Sequence, residues 1–405
     1  MSFLPLLQAC QIGECHPRFF RTVIEHKQIL SLVATDKEIQ HNNVASTSAM
    51  ELDPVDFRYL IAVGAQRKIT IHNTWTSSDC SISCLPEVAS VDGQRKHQHK
   101  KTINYVQWYP HDTGMFVTSA FDGTIKIWDT NHMKPVETMD IKHAVYNHHI
   151  SPISASHSLI AAASSVHVRL ADMRTGSTAH LLKGHRDNVL YVKWSPKDEF
   201  LLATGSEDGR LLMWDVRQAK AILLSLDQHN GDIGGNDARG TKAHSGSVNS
   251  LLFNEDGRYL LSFGSDERMR LWNCESGANT LVNYGRIDNN SIHRPLHMAI
   301  HHSGASASVV FVPAGRQVFL CDLYTGSCLG RLSEHFSQVR CCEHNKNTLD
   351  LFTAAEKSKI LIWSPEIAIA DNSGIDEAKF ETGRNGTSET DRVSRLLQDT
   401  WSDSD

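Results

Sequence analysis

The chain has 405 residues and a nearly balanced charge, with 40 Lys and Arg against 46 Asp and Glu and a net charge of −6. This balance excludes a globally basic nucleic-acid binder, although it leaves room for a local basic patch. No apolar run approaches the roughly 20 residues that cross a bilayer, and residues 1–12 lack the basic start and long apolar core of a secretory signal. We therefore expect the nine scattered Cys to be reduced thiols in a cytosolic or nuclear protein.

Residues 1–28 differ from the rest, because apolar residues recur there at or near helical spacing. We predict two short helices with a break at residues 13–16, and Pro17 suits the start of the second helix. The apolar content is high for a solvent-exposed tail. The segment therefore either packs back on the body of the protein or docks into a partner.

From residue 29 onward short β-type runs dominate, and many of them end in a recurring mark. The mark is Trp-Asp or a close substitute, clearest at Trp128-Asp129, Trp214-Asp215 and Trp272-Asn273. Weaker copies lie at His72, Ala171, Cys321 and Trp363. The seven marks are separated by 56, 43, 43, 58, 49 and 42 residues, whereas a WD-type blade takes about 40–45. These intervals predict an all-β fold, a seven-bladed WD-repeat β-propeller with insertions in the longer intervals.

The two ends of the repeat region are complementary. The run from Ile29 to Val33 has no mark of its own, and polar sequence follows the last mark at Trp363, so the last blade lacks a fourth strand. Pairing the two would close the ring and remove an exposed strand edge. We expect a propeller over residues 29–365, a glycine-rich loop at residues 228–242 and a disordered acidic tail over residues 366–405.

Three repeats share four residues at nearly constant spacing. An Asp lies six residues before the Trp, a Ser or Thr lies four before the Asp, and a His lies 22 or 23 before the Asp. The sets are His99, Thr118, Asp122 and Trp128; His185, Thr204, Asp208 and Trp214; and His244, Ser262, Asp266 and Trp272. Because one chain of hydrogen bonds can join these groups, we predict structural tetrads. A Ser-His-Asp hydrolase is rejected, since the set recurs three times and includes an indole donor.

The other four blades depart from this set. The position six residues before the mark holds Gln66, Ser165, Gly315 or Lys357. We expect apolar packing alone to hold these blades, and we expect the ring to open there first.

The 23 His and nine Cys raise the question of a metal site. The best candidates are the run Cys341-Cys342-Glu343-His344 and the residues His293, His297, His301 and His302. Adjacent Cys in a strand point to opposite faces, so the pair is a poor ligand set. The chain also has no Cys-x-x-Cys pair, phosphate loop or Gly-x-Ser-x-Gly elbow. We expect no catalytic residue, metal or cofactor, and we interpret the basic run at residues 95–101 as a loop entering a blade rather than an import signal or a phosphate patch.

Longer segments narrow the choice of family. They are Tyr105-Val106-Gln107-Trp108-Tyr109-Pro110-His111-Asp112-Thr113-Gly114-Met115-Phe116, Tyr146-Asn147-His148-His149-Ile150-Ser151-Pro152, Leu226-Asp227-Gln228-His229-Asn230-Gly231, Asn279-Thr280-Leu281-Val282-Asn283-Tyr284-Gly285 and Asp399-Thr400-Trp401-Ser402-Asp403-Ser404-Asp405. They resemble the Cockayne syndrome A family, and the resemblance covers nearly the whole chain. It is weakest in residues 1–60, 232–243, 286–308 and 366–390. Trp214-Asp215-Val216-Arg217 also resembles the box with which propeller receptors of cullin-4 ubiquitin ligases contact their adaptor, and Asp172-Met173-Arg174 is an incomplete copy.

The resemblance implies a non-catalytic substrate-recognition subunit of a cullin-4 RING ubiquitin ligase, acting in the nucleus in transcription-coupled nucleotide-excision repair. Its partners would be the large damaged-DNA-binding adaptor, the Cockayne syndrome B translocase and RNA polymerase II, with no membrane and no sequence-specific nucleic acid. We assign the adaptor contact to residues 1–28 and one propeller residue, namely Phe3, Leu4, Leu6, Leu7, Ile12, Phe19, Phe20 and Arg217. The alternative is a non-ligase WD-repeat scaffold, for example a histone- or peptide-binding module of a chromatin complex.

Overall fold

The computed structural model describes most of the repeat region and the segment that leads into it. The described residues are 17–35, 38–39, 46–75, 84–91, 98–218, 222–231, 241–289, 293–303, 308–356 and 359–366. The predicted first helix, with Phe3, Leu4, Leu6, Leu7 and Ile12, lies outside them, as do the side chains of Phe19 and Phe20, Lys357 and the tail from residue 367.

Seven antiparallel sheets, one for each mark, make up the described repeat region, which confirms the seven-bladed propeller. Blade 1 has β3 (Thr47–Leu52), β4 (Tyr59–Gly64), β5 (Ile69–Asn73) and β7 (Glu87–Val91); blade 2 has β8 (Ile103–Trp108), β9 (Met115–Ala120), β10 (Thr124–Asp129) and β11 (Lys134–Asp140). Blade 3 has β12 (Val145–Ile150), β13 (Leu159–Ser164), β14 (His167–Asp172) and β15 (Ser177–Lys183); blade 4 has β16 (Val189–Trp194), β17 (Leu201–Ser206), β18 (Leu211–Asp215) and β19 (Ile222–Ser225). Blade 5 has β20 (Val248–Phe253), β21 (Tyr259–Gly264) and β22 (Met269–Asn273); blade 6 has β23 (Ala299–His302), β24 (Ser308–Ala314), β25 (Gln317–Asp322) and β26 (Cys328–Leu332).

Blade 7 joins the two ends of the repeat region. It contains β27 (Val339–His344), β28 (Leu351–Ala355), β29 (Leu361–Pro365) and, as its outer strand, β1 (Leu32–Ala34). The register pairs Val33 with Ser364, and Thr35 donates a backbone hydrogen bond to the Ile362 carbonyl at 2.9 Å. The predicted closure is therefore confirmed, and the outer edge of β29 is covered by the other end of the region. A short parallel pair, β2 (Glu38–Ile39) with β6 (Cys84–Leu85), lies outside the blades.

One helix, α1 (Pro17–Leu30), precedes the ring and begins at the predicted Pro17. The predicted strand run from Ile29 is wrong at its start, because Ile29 and Leu30 end this helix. Ile29 is fully buried and packs with Phe311 and Trp363, so burial in the core favours its helical position over an extended one. No helix of the described residues is long and apolar enough to cross a membrane.

The first strand of each blade lies at the axis, where it packs against the first strands of the neighbouring blades. We call the side on which the first and third strands end the lower face, and the side on which they begin the upper face. Successive side chains of a strand point to opposite sides of its sheet, so the inner strands of each blade pack against both neighbouring blades. Most residues of the inner three strands are buried, whereas outer strands such as β15 and β11 are largely exposed.

Side chains of the inner strands also join one blade to the next. Gln107 accepts a hydrogen bond from the Ile150 backbone N–H at 2.7 Å, and the His149 Nδ1 accepts one from the Trp194 N–H at 3.1 Å. These bonds satisfy buried backbone donors that the sheets leave unpaired. The equivalent position of blade 4 holds Lys193, whose ammonium cannot accept a hydrogen bond. Blades 4 and 5 are joined by other bonds, among them those that the Ala243 and His244 backbone N–H groups donate to the Gly209 carbonyl at 3.0 Å.

Candidate functional site

The structure brings the three predicted sets of residues together, and the indole, hydroxyl and imidazole are hydrogen-bonded in the same order in each. In blade 4 the Trp214 indole N–H donates to Thr204 Oγ1 at 2.8 Å, and Thr204 Oγ1 lies 2.7 Å from His185 Nε2. His185 Nδ1 lies 3.5 Å from Asp208. The sets with Trp128 and Trp272 repeat this arrangement with indole–hydroxyl distances of 2.8 and 2.9 Å.

Each Asp of these sets also joins two loops of the upper face. Asp208 accepts backbone hydrogen bonds from Arg186 at 2.9 Å and from Arg210 at 2.9 Å. Burial acts to raise the pKa of Asp208, but the hydrogen bonds and the charge of His185 outweigh it and lower the pKa to about 2. The carboxylate therefore stays charged at neutral pH and holds the loops together, which is a structural role.

Blade 7 corrects the expectation that the remaining blades rely on apolar packing alone. The Trp363 indole donates to Thr353 Oγ1 at 2.8 Å, and Thr353 Oγ1 lies 2.7 Å from His335 Nε2. Sequence reasoning missed this chain because it searched for the Asp, and that position is Lys357. The ten-residue spacing from hydroxyl to indole, which all four blades share, was the available signal.

Arg217 lies on the lower face, immediately after the third strand of blade 4. Its guanidinium donates to Asp215 through Nε at 3.0 Å and through Nη2 at 2.6 Å, and it stacks over the ring of Phe200 with 4.8 Å between them. These hydrogen bonds lower the pKa of Asp215. The side chain remains 59% exposed. Arg217 is thus held in one orientation with part of its cation free to contact a partner.

The second copy of the box holds its Arg by a longer ion pair. The Arg174 Nε lies 4.0 Å from Asp172, and its side chain is 81% exposed and stacks on no aromatic ring of the described residues. Blade 3 has Ala171 where blade 4 has Trp214. The geometry therefore distinguishes the complete box from the incomplete one.

The lower face also carries the helix and several exposed apolar side chains. The end of α1 leads into β1 on this side, and Ser303, just beyond the end of β23, donates to the Thr22 carbonyl of α1 at 2.9 Å. Val55, Trp75 and Ile153 lie on loops of the same face and are 51%, 53% and 41% exposed. Arg217 and α1 therefore belong to one face, which also presents apolar surface.

The metal candidates take separate partners. Cys341 packs with Met50 in one core cluster and Cys342 with Val309 in another, as expected for neighbours in a strand. The four His differ likewise: His293 pairs with Glu207 at 2.8 Å, whereas His297 lies 3.1 Å from the Tyr191 hydroxyl. Among the residues that the structure describes, no group of three His, Cys, Asp or Glu could hold a metal ion.

The comparisons with known proteins agree with this architecture. The family model for the "WD domain, G-beta repeat" matches residues 88–129, 176–215 and 237–273, which end at the third strands of blades 2, 4 and 5. The WD repeat-containing protein ATCSA-1 of Arabidopsis thaliana is 30% identical over 439 aligned residues, which cover 91% of this chain and 96% of that protein. The chain belongs to the WD-repeat family of ATCSA-1.

Shorter alignments link the chain to other proteins. Radiation-sensitive protein 28 of Saccharomyces cerevisiae is 26% identical over 231 residues, covering 52% of this chain and 45% of that protein. The target of rapamycin complex subunit wat1 of Schizosaccharomyces pombe is 31% identical over 169 residues, covering 41% of this chain and 48% of that protein. WD-repeat propellers typically serve as non-catalytic scaffolds for protein–protein interaction.

Proposed function

We propose that this protein is the substrate-recognition subunit of a cullin-4 RING ubiquitin ligase that acts in the nucleus in transcription-coupled nucleotide-excision repair. Similarity to ATCSA-1 along nearly the whole chain supports the proposal, and the relative named for radiation sensitivity is consistent with a role in repair. The protein itself would catalyse nothing. It would hold a target near the charged E2 and so raise the effective concentration of the target lysine.

The observation that carries the proposal is the shared lower face of Arg217 and α1. A ligase adaptor needs a rigid docking surface, and this face combines an oriented guanidinium with apolar loop residues such as Trp75 and Ile153. An interface of this kind has an apolar centre with Arg among its favoured residues. We assign the lower face, with residues 1–28, to the large damaged-DNA-binding adaptor.

The upper face would then receive the target. It consists of the loops that lead into each inner strand and those that join the second strand to the third. The tetrads fix these loops from below, so a target meets a surface that loses little conformational entropy on binding. We assign this face to the Cockayne syndrome B translocase and stalled RNA polymerase II.

Co-purification of the adaptor with the Arg217→Ala variant tests the assignment. We expect at least a fivefold loss of adaptor at equal bait, because the substitution removes a charged contact from a desolvated interface. The matched control is Arg174→Ala in the incomplete box of blade 3, which should retain adaptor within twofold. Equal recovery with both variants would remove the lower-face assignment. Absence of adaptor and cullin from the wild-type sample would favour the non-ligase scaffold, such as a histone- or peptide-binding module.

A further inference from the structure

The upper mouth of the central channel contains a small cavity with several polar and charged side chains in its lining. The volume of this cavity is about 120 Å³, whereas a separate cavity at the lower end of the channel has a volume of about 310 Å³. Thr47, Thr102, Asn104, Arg294, Arg340 and Glu356 contribute to its lining. Ligand pockets are usually several times larger, and a liquid water takes about 30 Å³. The cavity therefore suits one side chain rather than a whole small molecule.

Positive charge exceeds negative charge at this mouth. Arg340 is only 7% exposed and donates to one carboxylate oxygen of Glu356 through Nε at 3.0 Å and also through Nη2. Arg294 donates to the same oxygen through Nη1 at 3.1 Å. A carboxylate carries one negative charge, and both guanidiniums are always protonated. The three side chains thus carry a net positive charge at the lining of the cavity.

The donors of Arg340 are also incompletely used. Its hydrogen bonds employ Nε and Nη2, and its Nη1 has no partner among the described residues. Burial lowers the pKa of Arg340, and the charge of Arg294 adds to this effect, although the bonds with Glu356 oppose it. An additional anion in the cavity would accept a charge-assisted hydrogen bond and relieve the repulsion between the two cations.

We propose that the upper mouth binds the carboxylate of an Asp or Glu side chain presented by an extended segment of a partner protein. The inference rests on the proposed function in one respect, since it names the chemistry by which the target side would be recognised. Arg294, whose side chain is 61% exposed, forms the entrance, and Arg340 forms the floor. Thr102 and Asn104 supply neutral hydrogen-bonding groups beside them.

A nucleic acid fits this mouth less well. The phosphates of a nucleic acid are closely spaced, and proteins bind them with a stripe of Lys and Arg along the nucleic-acid backbone. The neighbouring upper-face loops mix charges of both signs, with Glu267 paired to Arg286 and Glu207 to His293. Among the described residues they offer a polyanion no uniformly basic stripe, whereas a single carboxylate at the axis needs only the two guanidiniums of the cavity.

Fluorescence anisotropy with two labelled twelve-residue peptides tests the proposal. One alternates Glu with Ser and Gly, and the other has Gln in place of each Glu. We expect the wild-type protein to bind the Glu peptide at least tenfold more tightly than the Gln peptide. Arg294→Gln should weaken the Glu peptide at least fivefold, whereas Arg316→Gln, an exposed Arg on the neighbouring loop between β24 and β25, should change its affinity less than twofold.

The outcomes separate this inference from the proposed function. Equal affinity for the two peptides, or an Arg294→Gln variant that binds as wild type does, overturns it. Tighter binding of a 20-base-pair duplex than of the Glu peptide, lost in the same variant, would also overturn it and assign the mouth to nucleic acid. The Arg294→Gln variant should co-purify with the adaptor as the wild type does, because Arg294 lies on the upper face. A wild-type protein that fails to co-purify with the adaptor contradicts only the ligase assignment. Reversing the charge with Arg294→Glu should create a preference for a Lys peptide, and failure to do so counts against the proposal.

Discussion

Blade 4 and blade 7 use the same interior chain of hydrogen bonds but secure their edges differently. In blade 4 the His185 ring lies 3.5 Å from Asp208, which joins two upper-face loops, and the fourth strand β19 is the next strand in sequence. In blade 7 the sequence has Lys357 at the position of the Asp, and β1 arrives from the other end of the repeat region.

This difference separates two roles that the sequence presents as one motif. The indole, hydroxyl and imidazole belong to the interior of a blade, where each satisfies a buried polar neighbour. The Asp belongs to the surface, where it organises the turn. Asp208 is followed by Gly209, whose φ of +76° suits a residue without Cβ. A blade can therefore keep the interior part without the surface part.

The largest expected effect is from Trp214→Ala in blade 4. The side chain is 2% exposed and packs between blades 3 and 4 with Leu202 and Trp194. Its removal should lower the free energy of unfolding by roughly 3–5 kcal/mol, by the rule for large-to-small core substitutions. Urea denaturation followed by fluorescence measures this loss. Trp75→Ala, at a site that is 53% exposed, is the control and should change stability far less.

Thr353→Val sharpens the comparison in blade 7. It keeps the shape but removes the hydroxyl that serves both Trp363 and His335, and each buried group left unpaired costs roughly 1–3 kcal/mol. Thr353→Ser should retain most of the stability because it retains the hydroxyl. A Val variant as stable as the wild type would show that apolar packing alone holds this blade, as the sequence first indicated.

Asp208→Asn addresses the surface part of the motif through pH. The pKa of Asp208 falls from 3.8 to about 2 on folding, so its contribution to stability is complete above pH 4 and is lost as the pH falls toward 2. The shift corresponds to at most about 2 kcal/mol, because solvent screens part of the interaction of this incompletely buried carboxylate. Urea midpoints at pH 5 and pH 2.5 should therefore differ less in the Asn variant than in the wild type. An identical difference in both proteins would mean that Asp208 is not the titrating group.

The sequence by itself determined the number of blades, the closure of the ring and the members of three tetrads. These features follow from short-range spacing: strands of about six residues, tight turns and a Trp at a constant offset from an Asp leave few alternatives. The closure was predictable because the last blade lacked a fourth strand and the run near Val33 lacked a blade. An unpaired strand edge also favours aggregation.

Tertiary structure decided the remaining features, because they depend on contacts between residues that are distant in sequence. Ile29 joins a helix rather than a strand because Phe311 and Trp363 provide a buried site for it. The shared lower face of α1 and Arg217, and the pairing of Arg294 and Arg340 on one carboxylate of Glu356, arise only when the ring brings the ends of separate blades together. Local pattern specifies a blade, whereas the surfaces that bind partners are made between blades.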